Sequence, residues 1–240
     1  MNATSVYWAT GAGGTVMSVP LGGGTPITVA SGQSNPANIA LDSTSVYWLN
    51  DGTAADSFLD GTVMKMPLDG GAPSTLATAQ NDPNSIVVDS TSVYWIAGTS
   101  TLLKTPNGGG AVTTLASGNV TKIVVDATSV YWTDLVDGNV IKIPLDGGAP
   151  FTLASGQELP NGIAVDATNV YWTNDNGTGC NVDAVVTAPL GGGAPTTLFA
   201  GALPTGECAP TNIVVDSTSL YWTDYTGVDS TGAIVKLTPK

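Results

Sequence analysis

Apolar residues fall in short runs that recur in a fixed order along the chain. An Ile-led run closes on Asp: Ile39-Ala40-Leu41-Asp42, then Ile86 to Asp89, Ile123 to Asp126, Ile163 to Asp166 and Ile213 to Asp216. A run ending in Tyr-Trp follows, and then one such as Val63-Met64-Lys65-Met66-Pro67-Leu68 or Val140-Ile141-Lys142-Ile143-Pro144-Leu145. A Gly-rich turn (Asp69-Gly70-Gly71, Asp146-Gly147-Gly148, Gly191-Gly192-Gly193) leads into a last short run, Thr75-Leu76-Ala77 or Phe151-Thr152-Leu153-Ala154. Each run is rich in β-branched and aromatic residues and bounded by Gly, Pro, Asn or Asp, which predicts strands joined by hairpins. No stretch shows an extended helical period with caps, so the chain is predicted to be all-β.

The Tyr-Trp phrase marks six units, around Trp8, Trp48, Trp95, Trp132, Trp172 and Trp222, spaced 37 to 50 residues apart. A period near forty means a unit that cannot bury its own faces and must stack on its neighbours. Four short strands per unit, here A to D in chain order, predict a six-bladed β-propeller of four-stranded antiparallel blades, one domain spanning 1–240. Neighbouring blades cover both faces of strands A and B, which explains their continuous apolar character. The six Trp are therefore expected in blade-to-blade packing and not in ligand stacking. Counting runs gives five A, six B, six C and five D strands, 22 of the 24 in six full blades, so the terminal blades are expected to be incomplete. A larger parent protein or an incomplete N-terminus is the favoured explanation, ahead of strand sharing between the ends or between copies.

Trp132-Thr133-Asp134 and Trp222-Thr223-Asp224, each preceded by Tyr, resemble the YWTD repeat of the six-bladed propellers in low-density-lipoprotein-receptor-type proteins. The whole chain is similar to that architecture or to NHL-type propellers, in a bacterial style of Pro-Leu-Asp-Gly-Gly turns. The resemblance implies a fold, and implies binding of proteins or glycans more than any activity. The last Asp of the phrase is replaced by Thr10, Asn50, Ala97 and Asn174, which puts its inter-blade hydrogen bond in doubt in blades 1 and 3.

The chain has 17 Asp, 2 Glu, 6 Lys and no Arg, for a net charge of −13. That balance excludes nucleic acid and anionic membrane surfaces, which need clustered cations; no apolar run is long enough to insert in a membrane. Lys65, Lys104, Lys142 and Lys236 occupy one repeated position on strand C and read as structural. Cys180, in the B–C loop of blade 5, and Cys208, in the D–A loop leaving it, lie on one rim of an up-and-down blade. A disulfide between them is expected, contributing about 3 kcal/mol; the alternative is two free thiols. A disulfide implies an oxidising compartment, so an extracellular, periplasmic or cell-surface location is expected. Met1 abuts the first repeat, so no signal peptide is visible.

With no His and no Arg, the usual general base, the usual zinc ligand and the bidentate anion clamp are all absent. The chain is therefore not expected to be an enzyme. Propellers of the lactonase type hold a cation in the channel with Glu, Asn and Asp. A partial echo lies at the expected channel mouth, in Asn38, Asn84, Asn161 and Asn212, with Lys122 at a fifth position. A neutral Asn ring beside a cation is poorly suited to Ca²⁺, and turn residues bonding local backbone are the expected role. The Asp ending each A strand is expected to accept hydrogen bonds from the following backbone and so fix the A–B hairpin.

The repeating framework leaves individual function to the loops. The candidates are Asp51, Asp56, Phe58 and Asp60 in blade 2, Asp134 in blade 4, Asp175 and Asp183 in blade 5, and Asp224, Tyr225 and Asp229 in blade 6. Ca²⁺ at Asp51/Asp56/Asp60 or Asp175/Asn176/Asp183 would be the only cofactor, but the spacing matches no known calcium loop and solvated acidic loops are the default. The expected function is a non-enzymatic binding or assembly module recognising protein or glycan through the rim of B–C and D–A loops. The alternatives are a lactonase-like hydrolase with a channel cation, and a structural subunit that self-associates through its incomplete terminal blades.

Overall fold

A computed structural model describes residues 4–175, 184–201, 210–225, 232–238 and 240. Its 22 strands form six sheets, the first and last of three strands and the others of four. Blade 1 is β1 (Ser5–Thr10), β2 (Thr15–Pro20) and β3 (Ile27–Ala30). Blade 2 is β4 (Pro36–Leu41), β5 (Ser45–Asn50), β6 (Gly61–Pro67) and β7 (Ser74–Gln80), and blade 3 is β8 (Pro83–Val88), β9 (Ser92–Ala97), β10 (Thr101–Pro106) and β11 (Thr113–Ser117). Blade 4 is β12 (Lys122–Val125), β13 (Ser129–Asp134), β14 (Asn139–Pro144) and β15 (Phe151–Ala154). Blade 5 is β16 (Pro160–Val165), β17 (Asn169–Asn174), β18 (Ala184–Pro189) and β19 (Thr196–Ala200), and blade 6 is β20 (Pro210–Val215), β21 (Leu220–Tyr225) and β22 (Gly232–Leu237). Every pairing is antiparallel between consecutive strands, as the run order predicts, and the architecture is that of a six-bladed β-propeller. The blades fall into two compact units, residues 1–118 with the first three and 119–240 with the last three.

One packing rule holds within each unit. Side chains alternate across a strand, so the Val and Trp of strand B share one face and the Tyr shares the other. Tyr47 and Leu49 of blade 2 pack on Val93 and Trp95 of blade 3. In the second unit Tyr131 packs on Val170 and Trp172, and Tyr171 on Leu220 and Trp222. Trp48, Trp95 and Trp172 are fully buried, which is the blade-to-blade role expected of them. In blades 2 to 5 both faces of strand B are interior, so an alternating pattern would be the wrong signature there.

Polar groups that this packing drives inward find fixed partners. Trp48, Trp95 and Trp172 donate their indole N–H to Gln33, Gln80 and Gln157 at 3.0, 2.9 and 3.0 Å. The Trp222 indole N–H is buried with no partner among the described residues. The hairpin Asp works as expected: Asp42 Oδ1 accepts from the Thr44 and Ser45 backbone N–H at 2.7 and 2.8 Å. Its Oδ2 in addition accepts the Tyr47 hydroxyl at 2.7 Å, so one carboxylate ties the hairpin to the Tyr of strand B. The same pair recurs as Asp89–Tyr94, Asp126–Tyr131, Asp166–Tyr171 and Asp216–Tyr221. Burial pushes the Tyr131 hydroxyl up to about 12, and the Asp126 carboxylate adds to it.

Lysines tie adjacent blades. Lys65 of blade 2 lies over the Tyr47 ring, 5.4 Å from its centroid, and donates to the Asn107 carbonyl of blade 3 at 2.8 Å. Lys142 of blade 4 donates to the Leu190 carbonyl of blade 5, while lying over the Phe151 ring of its own blade, 5.6 Å from the centroid. Strand C of blade 5 has Thr187 at this position, and Lys240 supplies the ammonium instead. It lies 5.8 Å from the Tyr171 centroid, pairs with Asp166 and donates to the Asp216 carbonyl at 2.8 Å.

Candidate binding rim

Among the described residues the B–C and D–A loops emerge from the same end of the blades, and hydrogen bonds join neighbouring loops into a rim. Inside blade 1 the Gln33 N–H donates to the Gly14 carbonyl at 3.0 Å, and inside blade 4 the Gln157 N–H donates to Gly138 at 2.9 Å. Gly138 has a φ of 67°, and a β-carbon there would run into the Gln157 carbonyl, so only Gly allows this approach. D–A loops among the described residues also reach the B–C loop of the next blade: Asp51 N–H donates to the Asn35 carbonyl at 3.2 Å, and Gly98 N–H to Asn81 at 2.7 Å.

Among the described residues the β5–β6 loop is the most built part of this rim. A 3₁₀ turn, Ala54–Asp56, is closed by Asp60, whose oxygens accept the Thr53 backbone N–H at 2.7 Å and the Thr53 hydroxyl at 3.0 Å. That backbone bond holds the Asp60 carboxyl below its usual range. Ser57 and Phe58 take φ of 55° and 60°, a left-handed conformation that bulky side chains rarely adopt. The Asp82 N–H holds the strained turn by donating to the Phe58 carbonyl at 2.8 Å. The result presents Phe58 and Leu59 to solvent, 39% and 56% exposed. Alongside, Asp51 Oδ2 accepts the Asn35 side-chain amide at 2.7 Å. Burial pushes the Asp51 carboxyl up, and the nearby Asp82 carboxylate adds to this. A raised folded pKa means that ionisation works against the fold as pH climbs through it. Asp51→Asn is therefore expected to have a higher Tm than the wild type at pH 7, a difference that vanishes as the pH falls through 4; thermal melts at both pH values check it.

The other candidates have different settings. Asp134 is 4% exposed and turns back on its own loop, Oδ1 accepting the N–H of Val136 and Asp137 at 3.1 and 2.9 Å. The Asp175 backbone N–H donates to the Leu159 carbonyl at 3.4 Å, another D–A to B–C tie. Asn176, Cys180, Asp183, Cys208 and Asp229, and with them the expected disulfide, lie outside the described residues, as do the side chains of Asp224 and Tyr225. Among the described residues no group of three His, Cys, Asp or Glu is placed to hold a metal ion.

The residues expected at a channel mouth occupy two adjacent register positions. An extra residue enters strand A between Ala37 and Ile39, Asn84 and Ile86, Pro160 and Ile163, and Pro210 and Ile213. Asn38, with a φ of 40°, sits in that bulge, and Asn212 likewise directly precedes its Ile. Asn84 and Asn161 come one residue earlier. Asn84 donates its amide to the Gly98 carbonyl at 2.6 Å, Asn161 accepts the Thr133 hydroxyl at its carbonyl at 2.7 Å, and Lys122 pairs with Thr133 across the ladder. Sequence reasoning missed the Gln that hold the Trp; the signal was a Gln fifteen residues before Trp48, Trp95 and Trp172.

These features define a six-bladed β-propeller. No protein-family model and no curated protein matches the sequence. Among solved structures, the chain is similar to a chain of the nidogen/laminin complex, with a TM-score of 0.68 and 19% identity over 99% of this chain and 94% of that one. It is also similar to the computationally designed protein Ika8, with a TM-score of 0.70 and 14% identity over 99% of this chain and 69% of that one. A protein of unknown function from Bacteroides thetaiotaomicron VPI-5482 matches with a TM-score of 0.59 and 15% identity, over 99% and 71% of the two chains. At these identities the likeness is one of fold.

Proposed function

We propose that the protein is an exported, non-enzymatic binding module that engages a protein or glycan through the rim of B–C and D–A loops. The observation that carries this reading is the β5–β6 loop, where Asp60 and the Asp82 N–H lock a strained turn that displays Phe58 and Leu59. A preorganised aromatic with little conformational freedom left to lose is what a binding hot spot requires. The nidogen/laminin structure, a propeller chain in a complex between proteins, agrees with this use of the fold.

The test is a screen of the purified protein against a glycan array and immobilised extracellular proteins, repeated with the double variant Phe58→Ser/Leu59→Ser. Binding at least tenfold weaker in the variant, at unchanged Tm, is the expected result. A ligand bound equally well by both proteins would overturn the rim assignment, and turnover of lactone or ester substrates would overturn the non-enzymatic one.

A further inference from the structure

At the opposite end of the blades from the rim, the lysine ties described above have a gap. The position on strand C held by Lys65 in blade 2 and Lys142 in blade 4 is Ser18 in blade 1. Register confirms the equivalence, because Ser18 pairs with Tyr7 as Lys65 pairs with Tyr47. Among the described residues no side chain fills the space that a lysine would occupy between blades 1 and 2. A pocket of about 250 Å³ stands there, lined among others by Tyr7, Ser18, Val46, Met66, Leu68 and Asp69.

The lining reproduces part of what receives an ammonium elsewhere in this protein. Tyr7 is the counterpart of the Tyr47 ring under Lys65. Leu68 follows Pro67 as Asn107 follows Pro106 and Leu190 follows Pro189, the two residues whose carbonyls accept Lys65 and Lys142. The Leu68 carbonyl accepts no hydrogen bond among the described residues. Ser18 is only 5% exposed, so a short, buried side chain stands where blades 2 and 4 place a lysine. Where the turns that receive Lys65 and Lys142 have Gly108 and Gly191, this one has Asp69, an additional carboxylate at the lip. An aromatic face, a free carbonyl and a carboxylate around an apolar shaft (Val46, Met66) suit a cation on an alkyl stem.

We propose that this pocket binds a primary alkylammonium, and specifically the side chain of a lysine on a partner polypeptide. The net charge of −13 favours approach of a basic partner. Lys240 already shows that an ammonium from outside the blade can fill this role, since it reaches over Tyr171 where strand C of blade 5 has no lysine. The site lies apart from the rim, so either assignment can fail alone.

The probes are the peptide acetyl-Ala-Ala-Lys-Ala-Ala-amide, the same peptide acetylated on the lysine Nζ, and n-butylammonium, with binding read from amide shifts of residues 7, 18, 68 and 69. The lysine peptide is expected to bind at least tenfold tighter than its acetylated form. Asp69→Asn is expected to weaken it severalfold. Ser18→Lys is expected to abolish binding and raise Tm, because the introduced side chain occupies the pocket itself. Equal binding of the two peptides, absence of binding by the lysine peptide, or retained binding in Ser18→Lys would overturn the proposal. Butylammonium binding as tightly as the lysine peptide would overturn a polypeptide as the source.

Discussion

Replacing Trp172 with Ala is expected to cost about 4 kcal/mol, the range for emptying a fully buried aromatic site. Trp172 has no exposed surface and packs among Tyr131, Val140 and Leu153 of one blade and Val170 and Val186 of its own. Strand ladders on both sides hold the backbone, so the cavity cannot collapse. The variant also strips Gln157 Oε1 of its indole donor, leaving only the Asn174 amide at 3.2 Å. For a protein of this size the loss corresponds to roughly 8–16 °C in Tm. Trp172→Phe restores most of the apolar area but not the N–H, and about 1 kcal/mol is expected from the lost bond to Gln157. Calorimetry on both variants separates volume from hydrogen bond. A Trp172→Ala cost below about 1 kcal/mol would mean that blade-to-blade packing is not what holds this core.

Acid is expected to unfold the protein through the hairpin carboxylates. Asp89 shows the balance: burial pushes its carboxyl up, but donors outweigh this and hold it below the ordinary range. Those donors are the Thr91 N–H at 2.6 Å, the Tyr94 hydroxyl at 2.8 Å and the Ser92 N–H at 2.8 Å. Asp216 is held at about 2 by the backbone N–H groups of Thr218 and Ser219. A carboxyl depressed in the folded state adds stability above its unfolded pKa of about 3.9 and loses it as pH falls through the folded value. Asp42, Asp126 and Asp166 are depressed in the same direction, so the losses coincide. Tm is expected to drop steeply between pH 4 and pH 2. Asp89→Asn, which keeps shape but not charge, is expected to cost about 2 kcal/mol at pH 7, the lower part of the charged hydrogen-bond range for a partly solvated group. It should also flatten the acid limb of the profile. Melts across pH 2 to 7 provide the check, and parallel curves for variant and wild type would refute the carboxylate origin.

The strands were legible because each is written several times over. A single Ile-x-Val-Asp is ambiguous, whereas four copies and one Ile-x-Leu-Asp, all at the same offset from Tyr-Trp, are not. The backbone role of Asp42 and its counterparts was legible for the same reason. Its bond to the Tyr47 hydroxyl was not, because the Tyr read as apolar bulk and its polar tip was left without a partner. Loop residues occur once, and there residue type misleads. Asp60 and Asp134 look alike in sequence, yet the first staples a strained turn beside exposed Phe58 and the second is buried as the cap of its own loop. The Asn residues aligned as one ring fall in two register positions, Asn38 and Asn212 one residue before the Ile of strand A and Asn84 and Asn161 two before it, and a ring drawn from residue type alone overlooks that offset. Ser18 was invisible as a site, since an absent lysine is a signal only once its counterparts are seen crossing between blades.

The stitching of the rim constrains how such a protein can diversify. Asn35 and Asn81 each hold the B–C loop of the following blade, while Gln33 and Asp82 in the same segments bind the B–C loop of their own. A change of length in one loop therefore removes the support of a neighbour, and loops cannot be exchanged one at a time as they can on a scaffold with independent loops. New specificities on this face would arise in co-evolving neighbouring pairs, and a graft from another propeller would have to carry the adjoining D–A segment with it.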